Sequence, residues 1–225
     1  MINLCGRFTL LADELKIRHR FHIPDEISDY KPSYNIAPSQ NVLAVIHDGK
    51  KRRAGHLRWG LIPSWATDEK IGNKMINARS ETAHKKPSFK NLMARKRCLI
   101  IADSFYEWQK TEEGKIPKRI QVENRELFAF AGLWDKWQNE DQTIFTCTLL
   151  TKDSNDFMKD IHHRMPIILP EKEEETWIKQ SFSNANEAQQ FVSQINEDPL
   201  VAYTVSNVVN NAKNNDATCI EPITI

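Results

Sequence analysis

The stretch "CLIIADSFYEWQK" (98–110), followed by "IPKRIQVEN" (116–124), decides the fold. Both runs are rich in β-branched and aromatic residues, and the polar residues 112–114 between them mark a turn. Together they read as an antiparallel hairpin. The same pattern recurs on either side. "NVLAVIHDGK" (41–50) runs into an Asp-Gly turn and "KRRAGHLRWGLI" (51–62) returns as its partner. "LFAFAGLWDKW" (127–137) and "TIFTCTLLT" (143–151) form a further hairpin around residues 139–142.

Helices fall between and after these hairpins. "LLADELKIRHRFHI" (10–23) places Leu11, Leu15, Ile17 and Phe21 near helical spacing. "NDFMKDIH" (155–162) reads as a short helix and "NANEAQQFVSQI" (184–195) as another. "PEKEEETWIKQ" (170–180) opens with proline and acidic residues, which the helix dipole favours. "MPIIL" (165–169) and "VAYTVS" (201–206) read as strands. Residues 24–40 read as an ordered, proline-bearing loop, 63–97 as a longer polar segment, and about 209–225 as loop. Strands dominate, mostly as adjacent antiparallel hairpins. The expected class is α+β, a single domain over 1–225 with a central antiparallel, barrel-like sheet and flanking helices.

Composition narrows the functional classes. With 225 residues, 40% apolar and 27% charged, the chain resembles an ordinary globular protein with a substantial core. It has no eighteen-residue apolar run and no basic-then-apolar leader, so a cytoplasmic location without membrane contact is expected. Its four cysteines form no C-x-x-C pair, which disfavours a zinc site, and no metal or cofactor is expected. Cys98 and Cys147 stand in apolar runs and read as core residues. A monomer is expected.

The net charge of +1 conceals an asymmetry: residues 1–120 carry +10 and residues 121–225 carry −9. Either one surface attracts a polyanion or the two halves neutralise each other, and charge alone does not choose.

Four stretches resist a purely structural reading: "CGRF" (5–8), "INARSET" (76–82), "ADSFYEWQK" (102–110) and "DIHHRMP" (160–166). Singly, each has an ordinary explanation. Glu107 reads as a solvent-facing strand residue near Lys110 or Lys118, Arg79 and Glu81 as a surface ion pair, and His162 and His163 as cations closing a helix. Together they supply a cysteine nucleophile, groups able to relay its proton, and arginines suited to phosphate. Trp59 and Trp65 lie beside a basic strand. Aromatics interleaved with arginines suit single-stranded nucleic acid, whose bases stack while its backbone is neutralised.

These stretches, with "YNIAPSQ" (34–40), "RWGLIPSWA" (58–66) and "FAGLW" (130–134), run in the order of one family. The chain resembles the SRAP family (SOS-response-associated peptidase), whose members crosslink covalently to abasic sites in single-stranded DNA. The resemblance implies a nucleophile at Cys5, an active-site asparagine at Asn77, a catalytic glutamate at Glu107 and a histidine at His162. It implies DNA contacts at Arg7, Arg79 and Arg164, and a stacking tryptophan at Trp65 in preference to Trp59. His163 stands where relatives often carry aspartate.

The chemistry follows from the functional groups. The ring-opened aldehyde of an abasic sugar condenses with an N-terminal cysteine's amine, and the thiol then closes a thiazolidine. An α-amine with pKa ~7.7–8.0 is substantially neutral near physiological pH. Here Met1-Ile2-Asn3-Leu4 precede Cys5, and while they remain its nitrogen is an amide. Three expectations follow: a start at Leu4, from a UUG or CUG codon; trimming of 1–4; or loss of crosslinking with DNA binding kept. The first is preferred, so residues 1–4 are not expected in the mature protein. Two other functions remain open, a cysteine autoprotease or N-terminal-nucleophile hydrolase using Cys5 with His162, and a non-catalytic single-strand-binding module.

Overall fold

The computed structural model describes residues 6–179 and 182–224. Along the chain come β1 (Phe8–Leu10), α1 (Glu14–Arg20), β2 (Ser33–Ile36), β3 (Asn41–His47), β4 (Arg52–Trp59), β5 (Asn77–Arg79), α2 (Ser80–Ala83) and α3 (Pro87–Arg95). Then follow β6 (Arg97–Ala102), β7 (Ser104–Thr111), β8 (Gly114–Val122), β9 (Phe128–Gln138), β10 (Thr143–Asp153), α4 (Asp156–Lys159), β11 (Arg164–Pro166) and β12 (Ile168–Leu169). The chain ends with α5 (Glu171–Ile178), α6 (Ala185–Ser193) and β13 (Leu200–Thr204), after which short 3₁₀ turns at Asn207–Asn210 and Ala217–Cys219 punctuate a loop.

β10, β4, β3, β6 and β9 pair in a closed cycle, because β9 also pairs with β10. This is the expected barrel, with one difference. Five strands cannot alternate in direction all the way round, so one seam must be parallel. That seam is β4–β10, through Thr146↔Arg58 and Cys147↔Trp59. β6 and β9 approach closely: a Cβ on Gly132 would lie 2.8 Å from Cys98 Sγ and Ile100 Cδ1, so a larger residue there would force those side chains to shift.

The second sheet has the order β13-β8-β7-β1-β2 and is antiparallel throughout. A single residue, Asp103, separates β6 in the barrel from β7 in this sheet. Asp103 is buried at the corner, accepting hydrogen bonds from Thr9 Oγ1 and Leu11 N with Arg119 nearby. Burial pushes its carboxyl upward in pKa, against those hydrogen bonds and the Arg119 charge. The two sheets share a core in which Phe8 meets Trp59 and Phe130 at centroid distances of 5.1 and 5.7 Å.

Several elements depart from the sequence reading, among them β5 and α2, which lie inside the polar segment 63–97. β2 lies inside the segment read as loop, because its four residues gain a partner only from the distant β1. α3 lies inside the polar stretch: Pro87 starts it, and Phe89, Leu92 and Met93 form its buried face. In the tail, Val205, Val209 and Cys219 pack on Tyr106 in a small satellite core.

The charge asymmetry is partly cancelled within the fold. Arg20 pairs with Glu174 at 2.7 Å, Arg52 with Glu175 at 2.8 Å and Lys96 with Asp135 at 2.7 Å, each joining the basic half to the acidic one. Among the described residues, no helix is long and apolar enough to cross a membrane.

Candidate active site

A cleft of about 690 Å³ opens beside the β7–β8 hairpin. Gly6 and Arg7, the two residues that follow Cys5, form part of its lining, with Glu107, Trp108, His162 and Asn210. Cys5 itself lies outside the described residues. Three of the four stretches that resisted a structural reading therefore reach one cavity. β7 brings Glu107, the loop after α4 brings His162, and the lead into β1 brings Arg7.

Glu107 is not the solvent-facing residue that strand alternation suggested; it is 2% exposed. Its cross-strand neighbour Lys118 extends its Nζ to Thr204 Oγ1 at 2.7 Å. A carboxyl withdrawn from bulk water at a cleft wall is suited to proton transfer.

His162 is half-buried, with its ring centroid 4.4 Å from that of His163. Burial lowers its pKa, and the charges of His163 and Lys115 push the same way, while a hydrogen bond to the Arg164 backbone opposes them. Nδ1 lies 3.2 Å from both the N–H and the carbonyl oxygen of Arg164. The neutral ring can accept from the N–H and the protonated ring can donate to the oxygen, so His162 changes protonation without losing its anchor.

Arg164 is 3% exposed. Its guanidinium donates to Glu81 Oε1 and Oε2 at 2.7 and 2.9 Å, to Asp153 Oδ1 at 2.6 Å and to the Thr151 carbonyl at 2.9 Å. Burial disfavours its charge, but these carboxylates outweigh burial and raise its pKa. Glu81 thus pairs with Arg164, which staples the "NARSET" stretch to the "HHRMP" stretch. Arg79 is exposed and Asn77 half-buried on β5, which runs parallel to β10 through Leu149↔Asn77 and Thr151↔Arg79.

The two tryptophans separate clearly. Trp59 is 1% exposed in the core, its Nε1 donating to the Ile76 carbonyl at 2.9 Å, whereas Trp65 is 61% exposed. The loop carrying Trp65 leaves β4 through Gly60, at φ +132°, where a Cβ would lie 2.7 Å from the Gly72 carbonyl oxygen. Burial pushes the Cys98 and Cys147 thiols up, which makes them poor nucleophiles.

Against this geometry the comparisons with known proteins are direct. The model of the family "SOS response associated peptidase (SRAP)" matches residues 4–212. The chain belongs to this family. Among SRAP relatives, it is 48% identical over 222 residues to "Abasic site processing protein YoqW" of Bacillus subtilis (strain 168), covering 97% of this chain and 99% of that one. It is 34% identical over 226 residues to "Abasic site processing protein HMCES" of Xenopus tropicalis, covering 86% of this chain and 67% of that one. A crystal structure of a protein from Bacteroides thetaiotaomicron superposes with a TM-score of 0.86 at 26% identity, covering 98% of this chain and all (100%) of that one. A protein from Bordetella bronchiseptica follows at 0.76 and 29%, covering 90% and 100%.

Sequence reading passed over Trp108 and Asn210, which line the cleft, and Asn35, which bonds to Arg7. Trp108 Nε1 donates to Asn210 Oδ1 at 2.6 Å, and Asn35 accepts from Arg7 at 2.7 Å. Their signal was faint: a tryptophan next to Glu107, an asparagine in a proline-bearing loop, and asparagines in a tail without periodicity.

Proposed function

We propose that this chain captures abasic sites in single-stranded DNA as a covalent adduct through Cys5. The observation that carries the proposal is the meeting, in one cleft, of Gly6, which is bonded to Cys5, with the buried Glu107 and the half-buried His162. Relatives at 48% and 34% identity named abasic site processing proteins support the same reading.

The chemistry balances on these groups. With residues 1–4 absent, the Cys5 amine adds to the C1′ aldehyde of the opened sugar. Glu107 protonates the departing hydroxyl, water leaves, and an imine forms. The thiol sulfur then adds to the imine carbon and its proton passes to nitrogen, closing the thiazolidine. The sum is aldehyde plus aminothiol giving thiazolidine plus water. His162 assists sugar ring opening and, in reverse, release. Asn77 holds the amine or thiol. Arg7 and Arg79 meet phosphates and Trp65 stacks on a base. Arg164, buried against Glu81 and Asp153, acts by positioning the strand that carries Asn77 and the loop that carries His162.

Intact-protein mass spectrometry tests this with a single-stranded oligonucleotide carrying one abasic site. The form that starts at Cys5 is expected to gain the oligonucleotide mass less one water, and the form that starts at Met1 nothing. A Cys5-starting chain that binds the oligonucleotide yet stays unmodified overturns the proposal. Loss of residues 1–4 on standing without any adduct favours the autoprotease reading instead.

A further inference from the structure

Asn35 is a buried polar residue, 1% exposed on β2, that the adduct chemistry does not use. Burying a carboxamide is costly unless it is bonded, and this one is bonded on both sides. Its Oδ1 accepts from Arg7 Nη1 at 2.7 Å. Its Nδ2 lies 3.2, 3.1 and 2.8 Å from the carbonyl oxygens of Val209, Asn211 and Asn214, so the amide hydrogens are shared along one stretch of tail.

The tail also grips Arg7 directly. Nη1 donates to the Val209 carbonyl at 2.7 Å and Nη2 to the Asn210 carbonyl at 3.2 Å. Trp108 completes the assembly, donating to the Asn210 side chain at 2.6 Å, with Arg7 Cζ 5.9 Å from its ring centroid.

A guanidinium has five N–H donors in a fixed planar fork. In Arg7 both hydrogens of Nη1 are engaged, and one of Nη2. Among the described residues no acceptor meets Nε–H or the second Nη2 hydrogen, while Arg7 lines the cleft. The unengaged donors are those that bind two oxygens of one phosphate side by side.

We propose that Asn35 and the tail segment 209–214 are a positioning device that clamps one end of the Arg7 guanidinium and presents its Nε and Nη2 donors as a pre-oriented phosphate anchor beside Gly6. The proposal rests on the DNA-capture reading above. It makes the asparagine-rich tail part of the binding site, although only Asn210 of that segment lines the cleft.

The test is the salt dependence of binding of the full chain to an unmodified fluorescent oligothymidylate, which isolates phosphate contacts from adduct chemistry. Each phosphate contact on a single strand contributes about 0.7 to the slope of log affinity against log salt. Arg7→Met is expected to weaken binding about ten-fold and to flatten the slope by about 0.7. Asn35→Ala is expected to do the same although every charge is kept, and the double variant to bind no worse than Arg7→Met. If Asn35 merely holds the tail in place, Asn35→Ala lowers the melting temperature and leaves affinity and slope alone, which overturns the proposal. Should Asn35→Ala fail to fold, Arg7→Lys decides: a lysine keeps the charge but not the paired donors. Wild-type affinity and slope in that variant overturn the proposal, and the ten-fold loss supports it. A wild-type chain that crosslinks an abasic site while all the variants bind like it overturns this proposal alone. A wild-type chain that binds no oligonucleotide at any salt overturns the DNA reading with it.

Discussion

Replacing Arg164 by methionine, which keeps much of the stem volume and removes the charge, is expected to cost folding stability directly. The magnitude follows from its partners. Asp153 is 86% exposed, so its bond to Arg164 is screened and contributes well under about 1 kcal/mol. Glu81 is 43% exposed and held by two donors, and discounting for solvent leaves about 1 kcal/mol. The Thr151 carbonyl is buried and loses its side-chain donor, at about 1–2 kcal/mol. The total is about 3 kcal/mol, or ~6–12 °C in melting temperature for a chain of this size. Differential scanning calorimetry at pH 7 measures it, with Arg79→Ala as the contrast, since Arg79 is exposed and should melt within about 2 °C of wild type. The gap between wild type and Arg164→Met should also close in acid. Glu81 has its folded pKa lowered, so its stabilising contribution is complete above the ordinary glutamate range and is lost as pH falls through the lowered value. An Arg164→Met protein that melts with wild type while losing oligonucleotide binding would refute the assignment of Arg164 to the scaffold.

Three further outcomes are expected. Glu107→Gln should slow adduct formation by ~10²-fold or more while leaving binding to undamaged oligonucleotide unchanged, as read by gel-resolved adduct against time; an undiminished rate removes Glu107 from the chemistry. His162 has a lowered pKa, so the ratio of wild-type to His162→Ala adduct rates, which cancels the titration of the Cys5 amine, should fall only below pH 6.5; a histidine-dependent inflection above pH 6.5 contradicts the burial argument. Trp65→Ala should weaken single-strand binding by ~1–3 kcal/mol with little change in melting temperature, because the ring is 61% exposed, and unaltered anisotropy titrations would take Trp65 out of the interface.

The sequence by itself determined the hairpins, the α+β class and the family. β-branched runs broken by turn residues are local signals, and 41–59, 98–122 and 127–151 formed strands as their patterns required. The family pattern prefers Trp65 to Trp59 as the stacking residue, and only the structure shows that Trp65 is exposed and Trp59 buried. Other features depended on contacts between residues far apart in the chain. β2 is strand because β1 pairs with it across the fold, and no local preference reports that. The parallel β4–β10 seam follows from closing an odd number of strands. Glu107 reads in sequence as a solvent-facing strand residue and Arg164, from the family pattern, as a DNA contact; charge says nothing about what lies above a strand, and tertiary packing buried both. The tail from 209 onward has no periodicity, so its grip on Arg7, more than two hundred residues away (|i−j| of 202 and 203), emerges only when the chain ends meet.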